Sequence, residues 1–400
     1  MALEVDFLIV GAGLTGATIA RKLTDAGCEV LVLERRNHTG GNVHDHLHSS
    51  GVRIHTYGPH YFRTNSEEIW QFVNRFAEFF PYEAMLKSLV EGKLEHWPIT
   101  AEYISRAIGP DWKPSFENVP SNFEEACLAT MPRLVYERFV KGYTEKQWRT
   151  SARNLSSKLA GRFDVRLDNE KRLSRHKYQG IPRAGYAEFA RKLLAGIPVQ
   201  LNCDFMRGRD RFRARKLLIY TGAIDEFCSY ALGKLGYRAQ YREHTYVKNT
   251  QYLQPCGQIN NPSKERGTHI RTLEWKHMMA PEDAVRARGT VITREYPFTP
   301  LNSDQYEYPI PDERNQLLYQ AYRARVAGTQ GLMICGRLGE YRYFDMDQAI
   351  GRALRLTRDI LNIWPVTRRQ FVQCSRTQNP LLNTARNMIA GGERHQQASR

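Results

Sequence analysis

Residues 7–34 decide the fold. They read Phe7-Leu8-Ile9-Val10-Gly11-Ala12-Gly13-Leu14-Thr15-Gly16, then a helical pattern through Ala20, Leu23 and Ala26, then Glu29-Val30-Leu31-Val32-Leu33-Glu34. The unbroken apolar run 7–10 predicts a central parallel strand buried on both faces. In the G-x-G-x-x-G that follows, Gly11 permits the tight turn, Gly13 lets a pyrophosphate approach the backbone, and Gly16 allows close helix–strand packing. Leu14 and Thr15 open the helix, whose free N–H groups and positive dipole end suit phosphates. Glu34 closes the second strand, placed to accept from a ribose hydroxyl. Glycines alone are weak evidence; strand, glycines, helix, strand and terminal acid together predict a Rossmann-like α/β domain.

Working outward, Glu34 is followed by Arg35, Arg36 and, shortly after, Gly40-Gly41-Asn42. This second glycine pair resembles the extended FAD fingerprint of amine-oxidase-like flavoproteins. A late strand ending in glycine, Leu332-Met333-Ile334-Cys335-Gly336-Arg337, precedes a helix expected from about Met346, in the way such flavoproteins return to close the FAD site. Val199-Gln200-Leu201 and Leu217-Leu218-Ile219-Tyr220 read as further strands of the same domain, the latter ending at Thr221-Gly222. The dinucleotide domain is therefore expected to be discontinuous, over 1–80, 184–230 and 328–364. Between about 66 and 160 the pattern is helical, and a helical domain is expected over 81–160. Extended stretches at 245–247, 268–270 and 290–293 place a sheet and substrate domain over 161–183 and 231–327. Residues 365–400, with six arginines and one acid, read as a basic tail.

Composition bounds the rest. The chain has 400 residues, 42% hydrophobic and 25% charged, as in ordinary globular proteins of two or three domains. No apolar run approaches the roughly 20 residues of a membrane helix, and the start has no basic leader pattern. The net charge of +16 favours anionic ligands, but the excess is diffuse and no nucleic-acid motif accompanies it. Seven scattered cysteines without a C-x-x-C pair give no disulfide framework and no metal site, which points to a reducing, cytoplasmic setting.

Six further blocks carry a resemblance: Tyr57-Gly58-Pro59-His60, Lys141-Gly142-Tyr143-Thr144-Glu145-Lys146-Gln147-Trp148, Asp164-Val165-Arg166, Tyr178-Gln179-Gly180-Ile181-Pro182, Glu295-Tyr296-Pro297, and Gly336 to Asp347. In this order they resemble the bacterial UDP-galactopyranose mutases over about residues 5–364. The resemblance implies an FAD-binding α/β domain, a helical domain and a six-stranded antiparallel sheet domain, in a homodimer that neither inserts in membranes nor binds nucleic acid. It implies an isomerase that interconverts pyranose and furanose forms of a UDP-hexose, making galactofuranose, with no net redox. In that chemistry N5 of reduced FAD attacks the anomeric carbon and displaces UDP; the sugar ring then opens and recloses.

The resemblance also implies residue roles. Arg166 and Arg271 match the two diphosphate arginines, and Tyr178, Tyr308 and Tyr343 match the tyrosines that bond the phosphates. Arginine suits that work because it stays charged and grips phosphate in a planar fork. Tyr143, with Phe139 beside it, matches the ring stacked on uracil, and Trp148 the tryptophan near the sugar. His60, Arg63, Arg238 and Arg337 match positions near the flavin, and Asp345 and Met346 complete the cofactor set with Arg35, Gly41, Asn42, Thr221, Gly222 and Gly336. Three positions and one stretch depart from the family pattern: Arg63 replaces a histidine, Ala84 an asparagine near the sugar, Arg149 a glycine, and an acidic and aromatic stretch after Arg166 has become Glu170-Lys171-Arg172-Leu173-Ser174-Arg175-His176-Lys177. These departures keep open a flavoprotein of the same fold that oxidises or remodels another nucleotide sugar. They also predict that UDP-galactopyranose is not the best substrate, an added cation at 63 favouring an acidic or differently substituted sugar.

Overall fold

The computed structural model describes residues 2–163 and 165–365; the basic tail beyond Pro365 lies outside them. A five-stranded parallel sheet runs in the order 199–200, 30–33, 3–10, 212–220, 332–334. Its central strand, Leu3–Val10, buries Phe7 and Ile9 completely, as expected of a strand covered on both faces. The helix Leu14–Asp25 packs one face on this sheet and is crossed by the late helix Met346–Ile363. Gly16 makes the close approach possible: a Cβ there would stand 2.0 Å from the Gly11 carbonyl oxygen. The late helix opens with a capping box between Asp345 and Gln348.

A seven-stranded sheet lies beyond, in the order 308–309, 237–247, 290–298, 271–274, 258–260, 86–90, 93–97. It corrects two expectations. The sheet is mixed rather than antiparallel, because Gln258–Asn260 runs parallel to Leu86–Val90. Its last two strands come from residues 86–97, inside the stretch read as helical. There Leu86-Lys87-Ser88-Leu89-Val90 alternates buried and half-buried, the period of a strand, and Glu91-Gly92 turns it into a hairpin. Apolar periodicity on both sides hid that short alternation.

The helical layer itself runs from Ala101 to Trp148 in short pieces packed around Phe123, Met131, Tyr136 and Val140. Asn122 caps one of them, its side chain accepting from Glu125 N–H at 3.0 Å. Residues Tyr136–Lys141 form a π-helical turn leading into the helix Gly142–Trp148. Such turns recur at functional sites because they re-aim side chains. None of the described helices is long and apolar enough to cross a membrane.

Candidate functional site

One cavity of about 880 Å³ runs from the glycine-rich turn to the helical layer and the edge of the mixed sheet. That is near the upper end of small-molecule pockets. At one end its wall is largely backbone: Gly11, Gly13, Leu14, Thr15 and Gly16, then Gly41, Asn42, Thr221, Gly222 and Gly336. The Glu34 carboxylate accepts from Ala12 N–H at 2.8 Å and from Arg36 N–H at 2.9 Å. It thus fastens the turn and retains a lone pair on each oxygen. Arg35 lines the same end but is held by Glu226, Ser303 and Asp304. Burial alone would lower its pKa; Glu226 raises it well above the ordinary arginine value. Arg36 was not singled out by the sequence, yet it lies 4.4 Å over the Tyr57 ring and donates to Asn42.

In the middle stand His60, Arg63, Arg337, Asp345 and Met346. His60 Nδ1 donates to the Gly58 carbonyl at 2.7 Å, which leaves Nε2 as an acceptor. Burial, then His55, pushes its pKa down to about 3, so the ring is neutral at physiological pH. The Arg337 guanidinium sits 5.0 Å from the Tyr308 ring centroid and 4.2 Å from that of Tyr343. Its Nε and Nη2 are buried without a hydrogen-bond partner among the described residues. Arg63 pairs with Asp345 at 3.2 Å. Arg63 thus lines the cavity as the added cation expected there, with Asp345 as its counter-charge.

The far end is built from side chains. Phe139, Tyr143, Trp148, Arg166, Arg271, Tyr308 and Tyr343 all line it. The Arg166 guanidinium donates to the carbonyls of Glu170, Arg172 and Leu173 at 3.0, 2.7 and 3.3 Å. It therefore latches the segment 170–173 to the cavity wall. Arg271 donates from Nε to Glu295. Burial lowers its pKa, but Glu295 holds it well above the ordinary value, so it stays charged. Burial pushes the Tyr308 hydroxyl up to about 12, which keeps it a proton donor.

Two candidates are not on this wall. Tyr178 spends its hydroxyl on Glu67 and stacks its ring on Trp70 at 5.2 Å. Arg238, 1% exposed, lies behind Gln147 and donates to that residue's carbonyl at 2.9 Å and to Thr299 at 2.6 Å. Burial, then Arg149, lowers its pKa to about 10.

The structure adds Gln258 and Asn260, which the sequence reading missed. Tyr61 donates to Gln258 Oε1 at 3.3 Å, and Gln258 Nε2 donates to Asn260 Oδ1 at 2.8 Å. Both amides line the cavity beside Arg271, the cross-strand partner of Asn260. Period-two alternation in Gln258-Ile259-Asn260 was the available signal. Ala84, by contrast, is 3% exposed and sits in the helical layer's core, away from the wall.

Fold and cavity together define an α/β protein of the dinucleotide-binding kind, whose cavity is completed by the helical layer and a second sheet. The comparisons specify the family. The family described as UDP-galactopyranose mutase matches residues 138–343, and an NAD(P)-binding Rossmann-like domain matches residues 9–76. The chain is 31% identical over 373 residues to a probable UDP-galactopyranose mutase of Klebsiella pneumoniae, covering 89% of this chain and 95% of that protein. It is 30% identical over 370 residues to the dTDP-fucopyranose mutase of Escherichia coli, covering 87% and 96%. A crystal structure of reduced UDP-galactopyranose mutase shares the fold, with a TM-score of 0.69 at 15% identity over 90% of this chain and 96% of that one. This chain belongs to the UDP-galactopyranose mutase family and is a nucleotide-sugar pyranose–furanose mutase, an isomerase by class.

Proposed function

We propose that this chain is an FAD-dependent mutase that interconverts the pyranose and furanose forms of a UDP-hexose with no net redox. The carrying observation is that one continuous cavity joins the glycine-rich turn to Arg166, Arg271, Tyr308 and Tyr343. The residues fit a flavin dinucleotide: a backbone cradle at one end, and the buried, unpartnered Nε and Nη2 of Arg337 further along. The Gly11–Gly16 turn, Glu34, Gly41, Asn42, Thr221, Gly222, Gly336, Arg337, Asp345 and Met346 would hold it. Reduced FAD, when bound, supplies an electron-rich ring nitrogen able to displace a diphosphate from an anomeric carbon.

The chain's own residues supply the rest. Negative charge grows on the departing diphosphate, and fixed cations in a desolvated wall stabilise it. Arg271 is positioned for this. Arg166 can join by releasing carbonyls of the 170–173 segment. Tyr308 donates a hydrogen bond without losing its proton. His60, neutral, offers an acceptor without adding a cation that would compete for the diphosphate. Tyr143, Phe139 and Trp148 form an aromatic wall suited to a flat base.

A second reading of the sugar nucleotide comes from the relative named dTDP-fucopyranose mutase, which is nearly as similar as the UDP-linked one. The test uses dithionite-reduced protein under anaerobic conditions with UDP-galactopyranose and dTDP-fucopyranose, products being read by NMR. A furanose product without reductant consumption is expected, and heat denaturation is expected to release FAD. Equal turnover by oxidised enzyme, or one NAD(P)H consumed per product, would overturn the mutase mechanism. Preferred turnover of the dTDP sugar would transfer the assignment to it.

A further inference from the structure

Beneath the far end of the cavity lies a buried chain of alternating charge. Arg271 donates from Nε to Glu295 Oε2. The other Glu295 oxygen, Oε1, accepts from Arg242 Nε at 2.9 Å. Arg242 in turn donates from Nη1 and Nη2 to the two Glu307 oxygens at 2.9 and 2.8 Å. The side chains are nearly closed to solvent, with exposures of 0% for Glu295 and 8% for both Arg242 and Glu307. Glu295 faces Arg242 on one neighbouring strand and Arg271 on the other. The three are therefore cross-strand neighbours on one face of the mixed sheet.

Arg271 is in the cavity wall; Arg242 and Glu307 are not. The turn carrying His60 rests on the same network. A Cβ on Gly58 would stand 2.8 Å from Glu295 Oε1 and 3.1 Å from Arg242 Nη2.

A carboxylate beside a guanidinium tends to take two parallel N–H groups. Glu295 does not do so with Arg271; its second oxygen is turned to Arg242 instead. Arg271 Nη1 and Nη2 consequently make no hydrogen bond among the described residues. We infer that Arg242, clamped by Glu307, is a positioning residue: it keeps Glu295 on a single N–H of Arg271, so that both Nη groups remain available to the substrate diphosphate. This rests on the reading of Arg271 as a diphosphate contact.

The experiment measures UDP affinity, flavin content and melting temperature of the flavin-loaded protein and its variants. Arg271→Ala is the reference and is expected to weaken UDP binding tenfold to a hundredfold, about one charge-assisted hydrogen bond or more. Arg242→Met frees Glu295 to fork across Arg271 and is expected to weaken UDP by roughly tenfold, raising KM more than it lowers kcat, with flavin retained. Arg242→Met combined with Glu307→Gln restores the formal charge; affinity is expected to stay low. Arg242→Lys, which keeps one donor on Glu295, is expected to recover part of it. Should Arg242→Met fail to fold, Glu307→Gln alone loosens Arg242 and gives the same readout at smaller amplitude. UDP affinity within twofold of wild type in Arg242→Met, or in Glu307→Gln where only that variant folds, overturns the inference while Arg271→Ala still weakens binding. So does full recovery in the double variant, which would make the effect one of net charge. An unaffected Arg271→Ala overturns the underlying reading of Arg271 itself, and is distinguishable on that account.

Discussion

The two ends of the cavity are built on different physical principles. The dinucleotide end uses backbone: glycines, helix N–H groups and a carboxylate that fastens the turn from 22 residues away. The other end, proposed above for the substrate, uses long charged and aromatic side chains gathered from the helical layer, the segment around Arg166 and the mixed sheet. Backbone sites depend on a local sequence that admits one conformation, so one substitution there propagates into the fold. Side-chain sites depend on partners far apart in sequence, so one substitution there changes binding while the fold stands.

The sharpest break of this contrast is Gly16→Val. The new side chain cannot avoid the Gly11 carbonyl and would also meet Ile9. Loss of about 3 kcal/mol of stability and of bound flavin together is the expected outcome, read by thermal melting and by absorbance of the purified protein. Retention of stoichiometric flavin would show that the turn is more tolerant than its geometry implies.

Next is Arg166→Ala. Removing the guanidinium releases three carbonyl contacts and one cation at the substrate end. A tenfold to hundredfold loss of UDP affinity is expected, from a charge-assisted bond of about 1.5–3 kcal/mol, with flavin content unchanged. Titration calorimetry on the loaded protein checks it. A parallel fall in flavin would mean that the two ends are not separable.

Arg149 offers a smaller effect of opposite sign. It closes the helix Gly142–Trp148 in the left-handed region, at φ 51° and ψ 38°. A non-glycine residue pays roughly 1 kcal/mol or more there. Arg149→Gly is expected to raise stability by about 1 kcal/mol in chemical denaturation, without loss of flavin.

The last effect concerns pH. Burial, then His38, lowers the His44 pKa to about 4. An unfolded imidazole takes its proton near 6.5. Between those values the unfolded chain binds more protons than the folded one, so stability falls as pH drops from about 6.5 towards 4. Melting temperatures at pH 7 and pH 5 are expected to differ less in His44→Gln than in wild type. An unchanged difference would place the acid sensitivity elsewhere, for instance at buried His55 and His60.

Legibility in the sequence followed the same divide. The strand Leu3–Val10, the glycine turn and the returning strands at 199–200, 212–220 and 332–334 all read directly, because each is a short-range pattern with one good conformation. The hairpin at 86–97 did not, since five alternating residues between helical stretches carry little periodic signal. At the other end, the family resemblance named Arg166, Arg271, Tyr308 and Tyr343, and all four line one wall of the cavity. The same resemblance named Tyr178 and Arg238, whose polar groups are turned to Glu67 and to Gln147 and Thr299 instead.

The sequence by itself determined the dinucleotide fold, the family, and the kinds of side chain gathered in the cavity, because these depend on local backbone preference and on residue chemistry. Only the tertiary structure decided how the charges are shared. It pairs Arg63 with Asp345, ties Arg166 to three carbonyls, and threads Arg242 between Glu295 and Glu307. Those pairings set how much charge the cavity shows, and they join residues up to 282 positions apart. No local pattern encodes such partners; burial does, because a charge removed from water must find its counterpart wherever the packed strands bring one.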